Sequence, residues 1–240
     1  MDSPLHQFEV KVLMPLHMAG FDISITNSAV YMGLAVFMTL LLFVAGTAKQ
    51  SLVPGRLQCL VEMSYEFVAN MLKENVGAEG KKYFPFVASV FFFILFGNLI
   101  GMIPYSFTFT SQLILTFGLA SLVFVIVTVI GFIRHGVKFF KLFMPEGAPI
   151  LMAPILIPIE LISYLSRPVS LSVRLFANMM AGHTMLKVFA MFTVLLGMYG
   201  VSTVLLNSVL IGFEVLVAFL QAYVFSILTC LYLSDAIHMH

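Results

Sequence analysis

Residues 158–192 read PIELISYLSRPVSLSVRLFANMMAGHTMLKVFAMF, a predominantly apolar run carrying Glu160, Arg167, Arg174, His183 and Lys187. A run of about 20 such residues suffices to cross a bilayer, so this one is a membrane helix with a permanent cation, Arg174, well inside it. A guanidinium stays charged under biological conditions, and in hydrocarbon it costs at least a few kcal/mol unless it faces protein, water or a counter-charge. Arg174 is therefore a functional hypothesis by itself, and the helix that carries it must face something polar.

The rest of the chain agrees with that setting. Of its 240 residues 61% are hydrophobic and only 10% charged, which excludes an ordinary soluble domain and indicates an all-α, polytopic membrane protein. The net charge of +1 gives no reason to invoke nucleic acid or an acidic partner. Cys59 and Cys230 lie far apart, with neither metal nor disulfide spacing, and read as packing residues; no metal or cofactor is expected. The first 25 residues mix His6, Glu9, Lys11, His17 and Asp22 with short apolar pieces, so no cleavable signal is evident and the first span is expected to direct insertion.

Span-length apolar runs occur near 28–46, 84–103 and 112–133, and two longer ones cover 150–192 and 202–233. The longer pair also holds Glu214 and Gln221, and reads as a hairpin of long, tilted helices turning near Gly197 and Gly200. The expectation is about five membrane helices in a single membrane domain, 1–240. Its parts are an outer amino-terminal segment (1–27), three spans with their loops (28–150) and the polar hairpin (151–240). Five basic residues lie between Lys49 and Lys82 and three more at Arg134, Lys138 and Lys141, which predicts that these two loops are cytoplasmic. In the first of them Leu57, Leu60, Val61, Val68, Met71 and Leu72 recur at helical spacing. Two readings stay open for this amphipathic helix: on the cytoplasmic membrane surface, or buried against other subunits. Gly97 and Gly101 form a small-xxx-small pair that permits close packing.

At about 100° per residue, Glu160, Ser163, Arg167, Ser170, Arg174 and Asn178 form one narrow stripe on the fourth span, which Pro168 can kink. His183 falls on the opposite side. On the fifth span Glu214 and Gln221 are seven residues apart and share a face. An antiparallel register that pairs His183 with Glu214 also sets Gln221 beside Arg174. Either His183 or Glu214 alone reads equally well as a buried, hydrogen-bonded helix contact. Together an imidazole and a carboxylate can relay protons. Arg167 is expected to snorkel or to meet lipid headgroups, and Lys187 is read as structural too.

Residues 168–182, PVSLSVRLFANMMAG, taken with Glu160, Glu214 and Gln221, resemble subunit a of the membrane sector of F-type ATP synthases, most specifically in SLSVRLFAN at 170–178. The likeness extends to VPGRLQ at 53–58 with Glu62, and to GNLIGMIPY at 97–105. In one bacterial type of this family the acid stands where His183 is and the imidazole where Glu214 is; mitochondrial relatives share the exchanged arrangement found here. The resemblance implies a stator that passes protons through two offset half-channels at the c-ring. Arg174 would face the ring carboxylates. His183 and Glu214, with Asn178 and Gln221 near the junction, would line the outer half-channel, and Glu160 and Ser163 the cytoplasmic one.

Implied partners are the c-ring, the peripheral-stalk b subunits, membrane lipid and protons. The chain carries no phosphate-binding loop, so it is expected to be non-catalytic, with ATP handled elsewhere in the complex. The bacterial inner membrane is the preferred location, a mitochondrial inner membrane the alternative. A self-contained proton-coupled transporter and a purely structural anchor remain the competing classes. The first calls for matched broken helices, which are not seen; the second would tolerate substitution of Arg174.

Overall fold

The computed structural model of the chain describes residues 9–15, 17–18, 21–22, 24–48, 51, 53–103, 106–136, 139, 152–196 and 200–238. Lys49, Pro104, Tyr105, Lys138, Lys141, His240 and the expected turn at 197–199 lie outside them. Two short antiparallel pairings come first, β1 (Val12–Met14) with β4 (Ile25–Thr26) and β2 (His17–Met18) with β3 (Phe21–Asp22). Asn27 ties the first pairing to the helix that follows: its Nδ2 donates to the Glu9 carbonyl at 3.1 Å, and its Oδ1 accepts from the Lys11 N–H at 3.2 Å. Strands of two or three residues are too short for an alternating pattern to announce them.

Among the described residues six α-helices follow: α1 (Asn27–Thr47), α2 (Arg56–Val76), α3 (Phe84–Gly101), α4 (Leu113–His135), α5 (Ala153–Leu195) and α6 (Gly200–Ile237). Among the described residues, α1 and α3 to α6 are the five long and apolar enough to cross a membrane. Helix α2 stops at Gly77, whose φ of +79° is a conformation that side chains disfavour. A 3₁₀ turn (Ala78–Tyr83) then leads directly into α3.

The core joins Val68, Met71 and Leu72 of α2, Phe91 and Ile94 of α3, Val123 of α4, Leu175 of α5 and Phe225 of α6. The amphipathic α2 thus turns its apolar face onto this chain's own helices, whereas Leu57 and Leu60, which the spacing had grouped with that face, are exposed. Gly97 and Gly101 do not admit another membrane helix. A Cβ on Gly97 would come within 2.4 Å of Phe109 Cζ, and one on Gly101 within 2.5 Å of Thr108 Oγ1. These glycines seat the segment between α3 and α4, which includes a second 3₁₀ turn (Phe109–Ser111).

Helix α5 continues through both Pro158 and Pro168 for 43 residues, and α6 has 38. At 1.5 Å per residue these are about 65 and 57 Å long, far more than the roughly 30 Å of hydrocarbon, so neither can stand upright within it along its whole length. Arg167 has partners within the chain. Its Nη1 donates to Asp235 Oδ2 of α6 at 2.9 Å, and its guanidinium lies 5.3 and 5.0 Å from the ring centres of Tyr164 and Tyr232. Because α5 and α6 run antiparallel, the ion pair sets their mutual register at one end of the hairpin.

Candidate functional site

Arg174 is the central residue of α5, with 21 helical residues on either side. One face of this helix packs inward through Leu171, Ser172, Leu175 and Met179, all essentially inaccessible. The stripe marked by Ser163, Ser170, Arg174 and Asn178 is exposed, so the polar positions look away from the chain's own core. Among the described residues Arg174 makes no ion pair and no hydrogen bond. A guanidinium left this way at mid-helix requires water or a carboxylate supplied from outside the chain.

A cleft of about 530 Å³ opens between α5 and α6, with Arg174, Asn178 and Gly182 on one wall and Glu214, Gln221 and Leu220 on the other. Near Arg174, Asn178 Nδ2 donates to Gln221 Oε1 at 2.7 Å. Towards the far end of α5, His183 Nε2 lies 3.7 Å from Glu214 Oε1, an ion pair whenever the imidazole is protonated. Gly182 makes that approach possible, because a Cβ there would fall 2.6 Å from the same oxygen. Among the described residues, both Glu214 carboxylate oxygens and Gln221 Nε2 are buried without a hydrogen-bond partner. Polar atoms in that state are ordinarily satisfied by water. The cleft thus sets a guanidinium, two carboxamides and a buried carboxylate among otherwise apolar side chains such as Leu186, Leu210 and Val217.

Arg174, Asn178, Glu214 and Gln221 thus line one cleft in the antiparallel register expected for the hairpin, and His183, which is not among the lining residues, meets Glu214 from beside it. Glu160 and Ser163 do not join them. They lie on the same stripe of α5 as Arg174, with Glu160 half-buried and Ser163 exposed. Helix geometry sets Glu160 about 21 Å from Arg174 along the axis. One contact was not foreseen: Thr108, in the segment between α3 and α4, has its Oγ1 3.1 Å from His183 Nε2. It is 75 residues distant in sequence, and no periodicity links a connecting segment to a helix face.

The family described as ATP synthase A chain matches residues 29–234. The chain is 56% identical over 243 aligned positions to ATP synthase subunit a of Rhodospirillum rubrum, covering all of both chains. It is 53% identical over 240 positions to ATP synthase subunit a of Pelagibacter ubique, covering 99% of this chain and 98% of that one.

Proposed function

The chain belongs to the ATP synthase A chain family, and from that premise we propose that it is the proton-translocating stator of an F-type ATP synthase in a bacterial inner membrane. The observation that carries this reading is Arg174: central in a membrane helix, exposed, and without a counter-charge among the described residues. Its counter-charge is a carboxylate of each c-ring subunit in turn. A ring carboxylate cannot face lipid ionised without a large desolvation cost, so it is protonated everywhere except opposite the guanidinium. Proton flow is thereby tied to rotation of the ring.

The same charge keeps the two half-channels apart, since it repels an excess proton moving directly between them. The cleft between α5 and α6 serves as the outer half-channel. His183 and Glu214 take up protons there, and Asn178 and Gln221 hold its inner end beside Arg174. Glu160 and Ser163, on the exposed stripe towards the start of α5, serve the cytoplasmic one. The basic loops face the cytoplasm, and the peripheral-stalk b subunits hold this chain against the turning ring. This chain itself performs no nucleotide chemistry.

Reconstitution is the direct test. Vesicles containing the whole complex should acidify on ATP addition, whereas vesicles with this chain alone should pass protons at the background rate. Transport by the isolated chain would replace this reading with a self-contained transporter.

A further inference from the structure

The turn after α3 brings two hydroxyls, those of Ser106 and Thr108, against the last carbonyls of that helix. Ser106 Oγ is 2.7 Å from the Ile100 oxygen and 2.9 Å from the Gly101 oxygen. Thr108 Oγ1 is 3.2 Å from the Gly101 oxygen and 3.1 Å from His183 Nε2. Each hydroxyl has one hydrogen to give but can also accept. With the Ser106 hydrogen on the nearer Ile100 oxygen, Thr108 is the donor for Gly101, and its lone pairs are what it offers the imidazole. The missing side chain at Gly101 is what lets Thr108 come this close.

We infer that Thr108 is a positioning residue for His183, accepting a hydrogen bond from Nε2–H and so fixing both the tautomer and the orientation of the ring beside Glu214. Thr108 is 4% exposed and the His183 side chain 12%, so bulk water does not compete freely for this contact. With hydrogen held on Nε2, the proton that changes the charge of the ring is gained and lost at Nδ1. The Nε2–H edge stays between the Thr108 hydroxyl and the Glu214 carboxylate, 3.7 Å away. A ring that turned over would instead present a bare nitrogen to the carboxylate, and the two groups would cease to attract. The contact joins the segment after α3 to the α5–α6 hairpin, so it also relates the first spans to the proton path. This inference rests on the reading of His183 and Glu214 as a proton-handling pair.

The experiment compares the parent complex with Thr108→Val and Thr108→Ser. Whole ATP synthase carrying ¹⁵N-histidine is examined in membranes by solid-state NMR, with the His183 signals identified by their loss in His183→Gln. ATP-driven proton pumping and the amount of this subunit in the complex are measured alongside. In the parent and in Thr108→Ser, the neutral His183 ring should carry its hydrogen on Nε2, and the Ser variant should pump within about twofold of the parent. Thr108→Val, which keeps the shape and loses the acceptor, should give mixed tautomers and pump about fivefold more slowly, the usual effect of one hydrogen bond. Hydrogen on Nδ1 in the unaltered parent overturns the inference whether or not any variant assembles. So does a Val variant with parental spectrum and pumping. If the parent and Val spectra are as expected but His183→Gln pumps normally, the positioning by Thr108 stands and the proton-handling reading of His183 fails.

Discussion

Asn178 Nδ2 donates to Gln221 Oε1 at 2.7 Å, a bond between α5 and α6 one helical turn from Arg174. It fixes the cleft wall beside the guanidinium, which itself makes no hydrogen bond among the described residues. Replacing Arg174 with Ala should therefore leave the hairpin assembled and stop coupled transport. Several kcal/mol of uncompensated carboxylate charge, at about 1.4 kcal/mol per decade, corresponds to a loss of more than about 100-fold. ATP-driven pumping and ATP synthesis in membranes holding only the Ala variant provide the measurement. Near-parental rates would remove Arg174 from the mechanism.

Sidedness follows from the two ends of α5. In a background without Cys59 and Cys230, cysteines at 163 and 183 should react with membrane-impermeant thiol reagents from the cytoplasmic and outer sides respectively. Cys59 is exposed and has to be removed for the labelling to be read, whereas Cys230 is buried. Reaction of position 163 from outside only would invert the topology inferred from the basic loops.

His183 and Glu214 should behave as a pair. Either single apolar substitution should slow pumping several-fold, since it leaves the other group without its charge partner. The double exchange, His183→Glu with Glu214→His, should recover above both single exchanges, because the antiparallel register keeps the two side chains opposed. Singles that pump like the parent would make these residues ordinary helix contacts.

Arg167 supplies a contrast within the same helix. Its ion pair with Asp235 is partly open to solvent, with side chains 25% and 48% exposed, so the pair contributes at most about 1 kcal/mol and the tyrosine rings about as much again. Arg167→Ala should lower the thermal midpoint of the subunit by a few degrees. Pumping should remain within about twofold. A loss as deep as that of Arg174→Ala would show that this ion pair takes part in transport.

The spans, the long hairpin and its register were legible because they rest on signals the sequence carries locally: apolar runs of bilayer length and a handful of polar residues at helical spacing. A single register for α5 and α6 was enough to bring Glu214 to His183. Contacts from connecting segments were not legible. Gly97 and Gly101 suggested helix packing, yet their neighbours are Phe109 and Thr108 of a turn. Arg167 was read as structural, but its partners Tyr232 and Asp235 were not foreseen, because the helical spacing on α5 says nothing of which residues of α6 lie opposite its end. In α2, spacing grouped Leu57 and Leu60 with Val68, although only the later part of the helix meets α3 and α6.

The outward-facing stripe of α5 has a consequence for biogenesis. In a bilayer without its ring, this chain would hold Arg174 against acyl tails, at a cost of at least about 2.5–3.5 kcal/mol on insertion scales. On the proposed function, the subunit without its ring is the less stable form, and docking the ring relieves the strain on the surrounding lipid. A cell that makes the ring first spares this chain that exposure, and one that makes it last must either chaperone or degrade the waiting subunit.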